Sequence, residues 1–154
     1  MAMLKLKRIL LVEDNANDAE LTLEALAEHN LANGVDVVRD GAEALDYLYR
    51  RGSYAGEAPL NLAVILLDLK LPKVDGLEVL SILKGDDKLK CIPVVVLTSS
   101  REERDVVDSY RLGVNAYVVK PVNFSEFITA VKEVGAFWAI INEPPPLPHK
   151  GHNQ

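Results

Sequence analysis

Four apolar runs in this sequence are each followed at once by a chemically capable side chain. Ile9-Leu10-Leu11-Val12 leads to Glu13 and Asp14, and Leu62-Ala63-Val64-Ile65-Leu66-Leu67 leads to Asp68. Val94-Val95-Val96-Leu97 leads to Thr98, and Ala116-Tyr117-Val118-Val119 leads to Lys120. The set holds three carboxylates, one hydroxyl and one ammonium. Carboxylates held within ~4–6 Å of one another repel, and each raises the other's pKa unless a cation joins them. Oxygen donors on a partly open edge suit Mg²⁺, which keeps several waters and takes one or two carboxylates. A divalent cation, a lysine and a hydroxyl are what a transferring phosphoryl group needs on its equatorial oxygens. Asp68, in line with such a cradle, becomes the nucleophile.

That chemistry requires the four run ends to meet. The runs have the continuous hydrophobicity of strands buried on both faces. A further strand is expected over Val35-Asp36-Val37-Val38. Helical stretches separate them. Asn15 or Asn17 can cap a helix with Ala19, Leu23, Leu26 and Ala27 inward that stops near Asn33-Gly34. Helices also read over Gly41–Arg51, Gly76–Lys84, Arg101–Leu112 and, capped by Asn123, to about Ile141. Arg51–Asn61 has the composition of a surface loop and is long for such a connection. Five strands alternating with five helices imply an α/β fold, a doubly wound parallel sheet with helices on both faces. All strands then point one way, and their C-terminal ends share the edge where ligands bind in such sheets.

Each part also has a plain structural explanation. Glu13-Asp14 could complement a helix dipole, Thr98 could cap a helix, Asp68 could form a turn, and Lys120 could be a surface charge. Those explanations must all hold at once, on four strand ends, to displace the functional one.

Composition narrows the class. A chain of 154 residues suits one domain with a sizeable core. The net charge of −6 argues against a nucleic-acid partner, which needs clustered Lys and Arg. No apolar run approaches the ~20 residues that cross a bilayer, and Met1–Arg8 lacks the features of a secretory signal. The single cysteine, Cys91, excludes an internal disulfide and a thiolate metal cluster. His29, His149 and His152 lack ligand spacing. A cytoplasmic protein is expected.

The blocks Leu10-Leu11-Val12-Glu13-Asp14-Asn15, Asp68-Leu69-Lys70-Leu71-Pro72-Lys73-Val74-Asp75-Gly76, Val96-Leu97-Thr98-Ser99 and Tyr117-Val118-Val119-Lys120-Pro121 resemble the receiver domain of two-component response regulators. Each is weak alone, and the four in order are specific. The resemblance covers residues 7–141, leaving a lead-in over 1–6 and a Pro-rich tail over 142–154. It implies a flavodoxin-like sheet of order 2-1-3-4-5. It further implies phosphorylation of Asp68 by a sensor histidine kinase, and Mg²⁺ (or Mn²⁺) held by Asp14, Asp68 and the Lys70 carbonyl, with Glu13 acting through water. Thr98 and Lys120 would grip the phosphoryl oxygens, Tyr117 would be the switch aromatic, and Lys120-Pro121 would be a cis peptide. The family gives a signalling phospho-acceptor rather than an enzyme. Lys70 and Ser100 lie where the family varies and tunes phosphoryl lifetime.

Val37–Leu48, the long loop after it and Phe137-Trp138 resemble the single-domain regulators paired with phytochrome kinases, which suggests a bacteriophytochrome as partner. Val134–Ile141 runs for eight residues without a polar side chain. One helix cannot turn all of these toward its sheet, so Phe137, Trp138, Ile140 and Ile141 are expected at a homodimer interface, a folded-back tail being the alternative cover.

Other classes fit less well. A haloacid-dehalogenase-type phosphatase needs a second Asp two residues after the first, where this chain has Lys70. No Ser/Thr/Gly-rich phosphate loop follows Val12, and neither a P-loop nor G-x-G-x-x-G occurs. A phosphorylation-independent interaction module would lack one of Asp14, Asp68, Thr98 or Lys120, and none is missing. A phosphate sink for a kinase remains open.

Overall fold

A computed structural model of the protein describes residues 7–29, 34–99, 104–107, 114 and 116–141. Five strands, β1 (Arg8–Val12), β2 (Val35–Val38), β3 (Leu62–Asp68), β4 (Val94–Thr98) and β5 (Tyr117–Val119), form one sheet of order β2-β1-β3-β4-β5. Every pairing is parallel. The sheet therefore needs crossovers, which carry α1 (Ala16–Ala27), α2 (Gly41–Tyr49), α3 (Gly76–Gly85) and the helical residues 104–107 (α4), while α5 (Phe124–Glu133) and α6 (Phe137–Ile140) follow the last strand.

Strand alternation divides the core in two. Leu10, Val12, Ile65, Leu67, Val94 and Val96 face α2 and α3, while Ile9, Leu11, Val64, Leu66, Val95 and Leu97 face α1 and α5. Every residue of β3 is buried, which its uninterrupted apolar run anticipates for a central parallel strand. The edge strand β2 is only partly covered along Val35–Val37. Side-chain caps start the helices that leave the site edge. Asn15 accepts from Asp18 N, Asp75 from Leu77 N, and Asn123 from Glu126 N. The chain runs from β1 outward to β2, then crosses back to β3. The order reverses between β1 and β3, the switch point at which sheets of this kind bind ligands.

Several local expectations are corrected. The first helix stops at Ala27, well before Asn33-Gly34 (residues 30–33 lie outside those described). Its inward face carries Ala19, Thr22 and Leu26, with Leu23 half-buried and Ala27 exposed. The last helix does not run unbroken to Ile141. It ends at Glu133, and Gly135 takes the left-handed conformation (φ 78°) that glycine adopts at little cost. The turn redirects the chain into α6, so that Ala136 and Ile140 reach the core. The 51–61 loop contains a 3₁₀ turn, Gly52–Tyr54, anchored by the Tyr54 hydroxyl donating to Glu43 Oε2 at 2.7 Å. Ser100, most of the expected 101–112 helix, residues 1–6 and the 142–154 tail with His149 and His152 lie outside the described residues. His29 is exposed, but its ring stacks on Phe124 with centroids 3.6 Å apart. Among the described residues, no helix is long and apolar enough to cross a membrane.

Candidate functional site

The parallel sheet brings the chemically capable strand ends to one edge. Asp68 is the last residue of β3 and 3% exposed. Its Oδ1 accepts from Lys70 N at 3.1 Å, a turn that closes the strand, and its Oδ2 accepts from Lys120 Nζ at 2.9 Å. Glu13 and Asp14 follow β1, the strand paired with β3. Carboxylate oxygens of Glu13, Asp14 and Asp68 all lie within 4.8 Å of one another. Glu13 is fully buried and Asp14 exposed, so the trio spans from core to solvent.

Lys120 follows β5 on the far side. Its own N–H donates to Thr98 O at 2.8 Å, which fixes the end of β5 to the end of β4. The Lys120–Pro121 peptide is cis. Its ammonium donates to three carboxylates: Glu13 Oε2 at 3.2 Å, Asp18 Oδ2 at 3.1 Å and Asp68 Oδ2 at 2.9 Å. Glu13 Oε1 also lies 3.0 Å from Nζ, an ion pair without a hydrogen bond.

The electrostatics follow from burial and crowding. Burial, then the neighbouring Asp68 carboxylate, pushes the Glu13 pKa up to about 7, against the pull of Lys120. Burial works against the Lys120 ammonium, but Asp68 and Glu13 outweigh it and hold its pKa above the ordinary lysine value. An anionic cluster of this kind gains from a further cation. The donors are all oxygens, one is exposed, and Glu13 Oε1 is buried without a hydrogen bond, so the residues fit a hard divalent ion.

Thr98, at the end of β4, is fully buried, and its Oγ1 also lacks a hydrogen-bond partner. Tyr117, at the start of β5, is half-buried against the α2–α3 side of the core. The guanidinium of Arg104 lies over its ring, 4.2 Å from the centroid. Arg104 and Asp18 were not singled out from sequence. Asp18 carried a signal, since it falls in the first turn of the helix that leaves the site edge.

The residues expected at a dimer interface divide. Ile140 is fully covered within the chain, because the break at Gly135 turns it into the core, and it is no part of an exposed set. Phe137, Trp138 and Ile141 are half-buried. The Phe137 and Trp138 rings meet edge to face with centroids 5.2 Å apart.

This fold and strand-end cluster define a receiver. The family model for the response regulator receiver domain matches residues 9–132, and the chain belongs to that family. Its relatives place it among the homologues of phytochrome response regulators, proteins with a phosphorylation-based role in two-component signalling. The bacteriophytochrome response regulator AtBRR superimposes with a TM-score of 0.86 at 62% identity, covering 90% of this chain and 99% of that one. Response regulator Rcp1 of Synechocystis sp. is 44% identical over 132 residues, 86% of this chain and 88% of that protein. The Mn²⁺-bound form of Rcp1 gives a TM-score of 0.69 at 41% identity, covering 93% and 99%. The phosphorylated cyanobacterial phytochrome response regulator RcpA gives 0.69 at 48%, covering 87% and 94%.

Proposed function

We propose that Asp68 accepts a phosphoryl group from the phosphohistidine of a sensor histidine kinase, in a reaction that requires Mg²⁺ and accepts Mn²⁺. The observation that carries this reading is the Asp68 carboxylate, held between Lys120 Nζ at 2.9 Å and the carboxylates of Glu13 and Asp14. An Asp68 oxygen attacks phosphorus, the phosphorus–nitrogen bond breaks, and its electron pair returns to the imidazole. An acyl phosphate forms on Asp68. Lys120 donates to one phosphoryl oxygen, and the Thr98 hydroxyl, buried and unpartnered, donates to another. Asp14, Asp68, the Lys70 carbonyl and, through water, Glu13 would hold the divalent ion, which when bound supplies neutralisation of charge on the phosphoryl oxygens. Mn²⁺ bound to Rcp1 and phosphorylation of RcpA support this reading by relationship. The chain's own chemistry is limited to gaining and losing that phosphoryl group, and it is a signalling component of the cytoplasm.

The likeness to AtBRR favours a bacteriophytochrome as the kinase. The half-buried Phe137 and Trp138 favour a homodimer. The central test is mass measurement after treatment with acetyl phosphate. One phosphoryl group is expected in Mg²⁺, and none in EDTA or in Asp68→Asn. Persistent single phosphorylation of Asp68→Asn would overturn the assignment.

A further inference from the structure

We propose that Asp18 is the positioning residue for Lys120, the one anionic partner that keeps the ammonium in place while the rest of the site changes charge. The inference rests on the phospho-acceptor reading above and adds to it a residue outside the carboxylate trio.

An ammonium has three N–H donors, and Lys120 gives one each to Glu13, Asp18 and Asp68. Two of those acceptors, Glu13 and Asp68, belong to the trio whose oxygens lie within 4.8 Å of each other, and Asp18 does not. A divalent ion on the trio would compete with Lys120 for Glu13 and Asp68. Phosphorylation then turns the Asp68 carboxylate into a mixed anhydride, which removes its charge at the oxygen Lys120 holds. The ion thus competes for both bonds, and phosphorylation removes the charge behind one of them. Asp18, outside the trio, is the acceptor that neither event engages directly.

Its placement suits that role. Asp18 lies in the first turn of α1, 102 residues away in sequence, and reaches Lys120 from a helix rather than from a strand end. Its side chain is 35% exposed, against 0% for Glu13 and 5% for Asp68, so it holds Nζ from the solvent side. The helix turn that carries it is itself fixed, since Asp18 N donates to the Asn15 cap at 2.9 Å. Lysine has a flexible four-carbon stem and a mobile ammonium. Held by Asp18, Lys120 needs only to pivot from the Asp68 oxygen to a phosphoryl oxygen. Without Asp18 it must be ordered anew in each cycle. The opposing expectation is purely electrostatic: deleting one anion near the site attracts an anionic donor and speeds the reaction.

The two accounts predict opposite signs. Asp18→Asn keeps the backbone cap and removes the charge. Phosphorylation of Asp68 by acetyl phosphate in Mg²⁺ should slow several-fold, with Asp18→Glu recovering part of the rate. NMR of the wild-type protein gives a readout independent of turnover. The Asp18 side-chain carboxyl carbon should hold its shift through Mg²⁺ and then beryllofluoride addition, and the Lys120 ammonium signal should stay sharp. In Asp18→Asn that signal should broaden. An Asp18→Asn variant that reacts as fast as wild type, or faster, overturns the inference, as does an Asp18 carbon that moves to a solvated position on beryllofluoride binding. Should Asp18→Asn not fold, the wild-type spectra decide alone. A wild-type protein that takes no phosphoryl group at Asp68 overturns the functional reading itself. A wild type that does, beside an Asp18→Asn variant that matches it, overturns only the role of Asp18.

Discussion

Arg104 covers the ring of Tyr117, with its guanidinium carbon 4.2 Å from the ring centroid and its Nε buried without a hydrogen bond. A cation over an aromatic face is worth about 0.5–2 kcal/mol depending on desolvation. The contact joins α4 to the start of β5, three residues before Lys120. The Thr98 hydroxyl lies at the end of the neighbouring strand, also without a partner. A phosphoryl group that drew this hydroxyl toward Asp68 would open space beside the Tyr117 ring. Such a ligand shifts a pre-existing mixture only by its differential affinity for the two states.

Tyr117 and Thr98 are therefore expected to respond together. Addition of Mg²⁺ and beryllofluoride should move the Tyr117 ring resonances and those of the Arg104 side chain. In Thr98→Ala both should stay near their resting positions. A full Tyr117 response in that variant disproves the coupling.

Gly76 opens α3 against the backbone that follows β3 at Asp68. A Cβ there would press on the Asp68 carbonyl oxygen and lie 2.6 Å from Leu69 Cα. These are backbone atoms and cannot move aside as a flexible side chain can. Gly76→Ala should lose about 1–3 kcal/mol in urea unfolding, the usual cost of overpacking, and shift the amide signals of Leu69 and Lys70. A change under about 0.5 kcal/mol, typical of a surface site, would show that the turn relaxes freely.

A polar cluster joining β1, β2 and α2 is expected to contribute to acid stability. Arg8 donates to Asp36 from Nε at 2.9 Å and from Nη2 at 2.7 Å, and the Tyr47 hydroxyl donates to the same carboxylate at 2.6 Å. The Arg8 hydrogen bonds hold the Asp36 carboxyl below its ordinary range, against a smaller opposing effect of burial. A carboxyl depressed in the folded state binds fewer protons there than in the unfolded chain. Its contribution is complete above the ordinary aspartate pKa of about 3.9 and is lost as pH falls through the lower folded value. Urea midpoints should separate wild type from Asp36→Asn by a constant gap above about pH 5, and that gap should close below about pH 4. A gap that stays constant down to the acid limit would assign the effect to packing instead.

Much of this was legible in the sequence, for identifiable reasons. The seven buried residues of β3 form an apolar run that no surface strand would carry, and Asp68 ends that run. A parallel sheet then needs no further information to bring Glu13, Asp14, Thr98 and Lys120 to the same edge. What was not legible depends on how helices lie over the sheet. Asp18 meets Lys120 across 102 residues of sequence, and Arg104 meets Tyr117 from a separate helix, contacts that strand ends alone do not specify. The break at Gly135 was missed because a glycine within an apolar helical stretch costs only about 1 kcal/mol. Whether it continues the helix or ends it is decided by the core waiting for Ile140.

Leu21 stands out on α1 at 47% exposed, on the helix that borders the site edge. A kinase that presents its phosphohistidine to Asp68 must cover that edge, and an exposed leucine beside it suits such a contact. Leu21→Glu should slow transfer from the cognate kinase while leaving acetyl phosphate labelling at the wild-type rate. Equal loss in both assays would indicate a disturbed fold rather than a docking surface.

The homodimer prediction turns on what remains uncovered after the chain breaks at Gly135. Ala136 and Ile140 fill the core and Phe137 and Ile141 pack against its edge, yet Phe137, Trp138 and Ile141 all stay only half-buried. Lys132 Nζ lies 4.9 Å from the Phe137 centroid, and the Phe137 and Trp138 rings meet edge to face. Aromatic side chains are favoured at interface centres, and a two-fold contact lets one such patch cover its own copy. An ordinary specific interface buries about 800 Å² on each partner, more than two rings supply, so residues flanking α6 must contribute too. Light scattering should give about twice the chain mass of 16.9 kDa at high micromolar concentration, falling toward the monomer in Phe137→Glu, Trp138→Glu. Trp138 is the only tryptophan, so its emission should shift to the red as the wild-type protein is diluted. A wild type that remains monomeric, with or without beryllofluoride, would instead assign the cover of Phe137 and Trp138 to the chain's own tail.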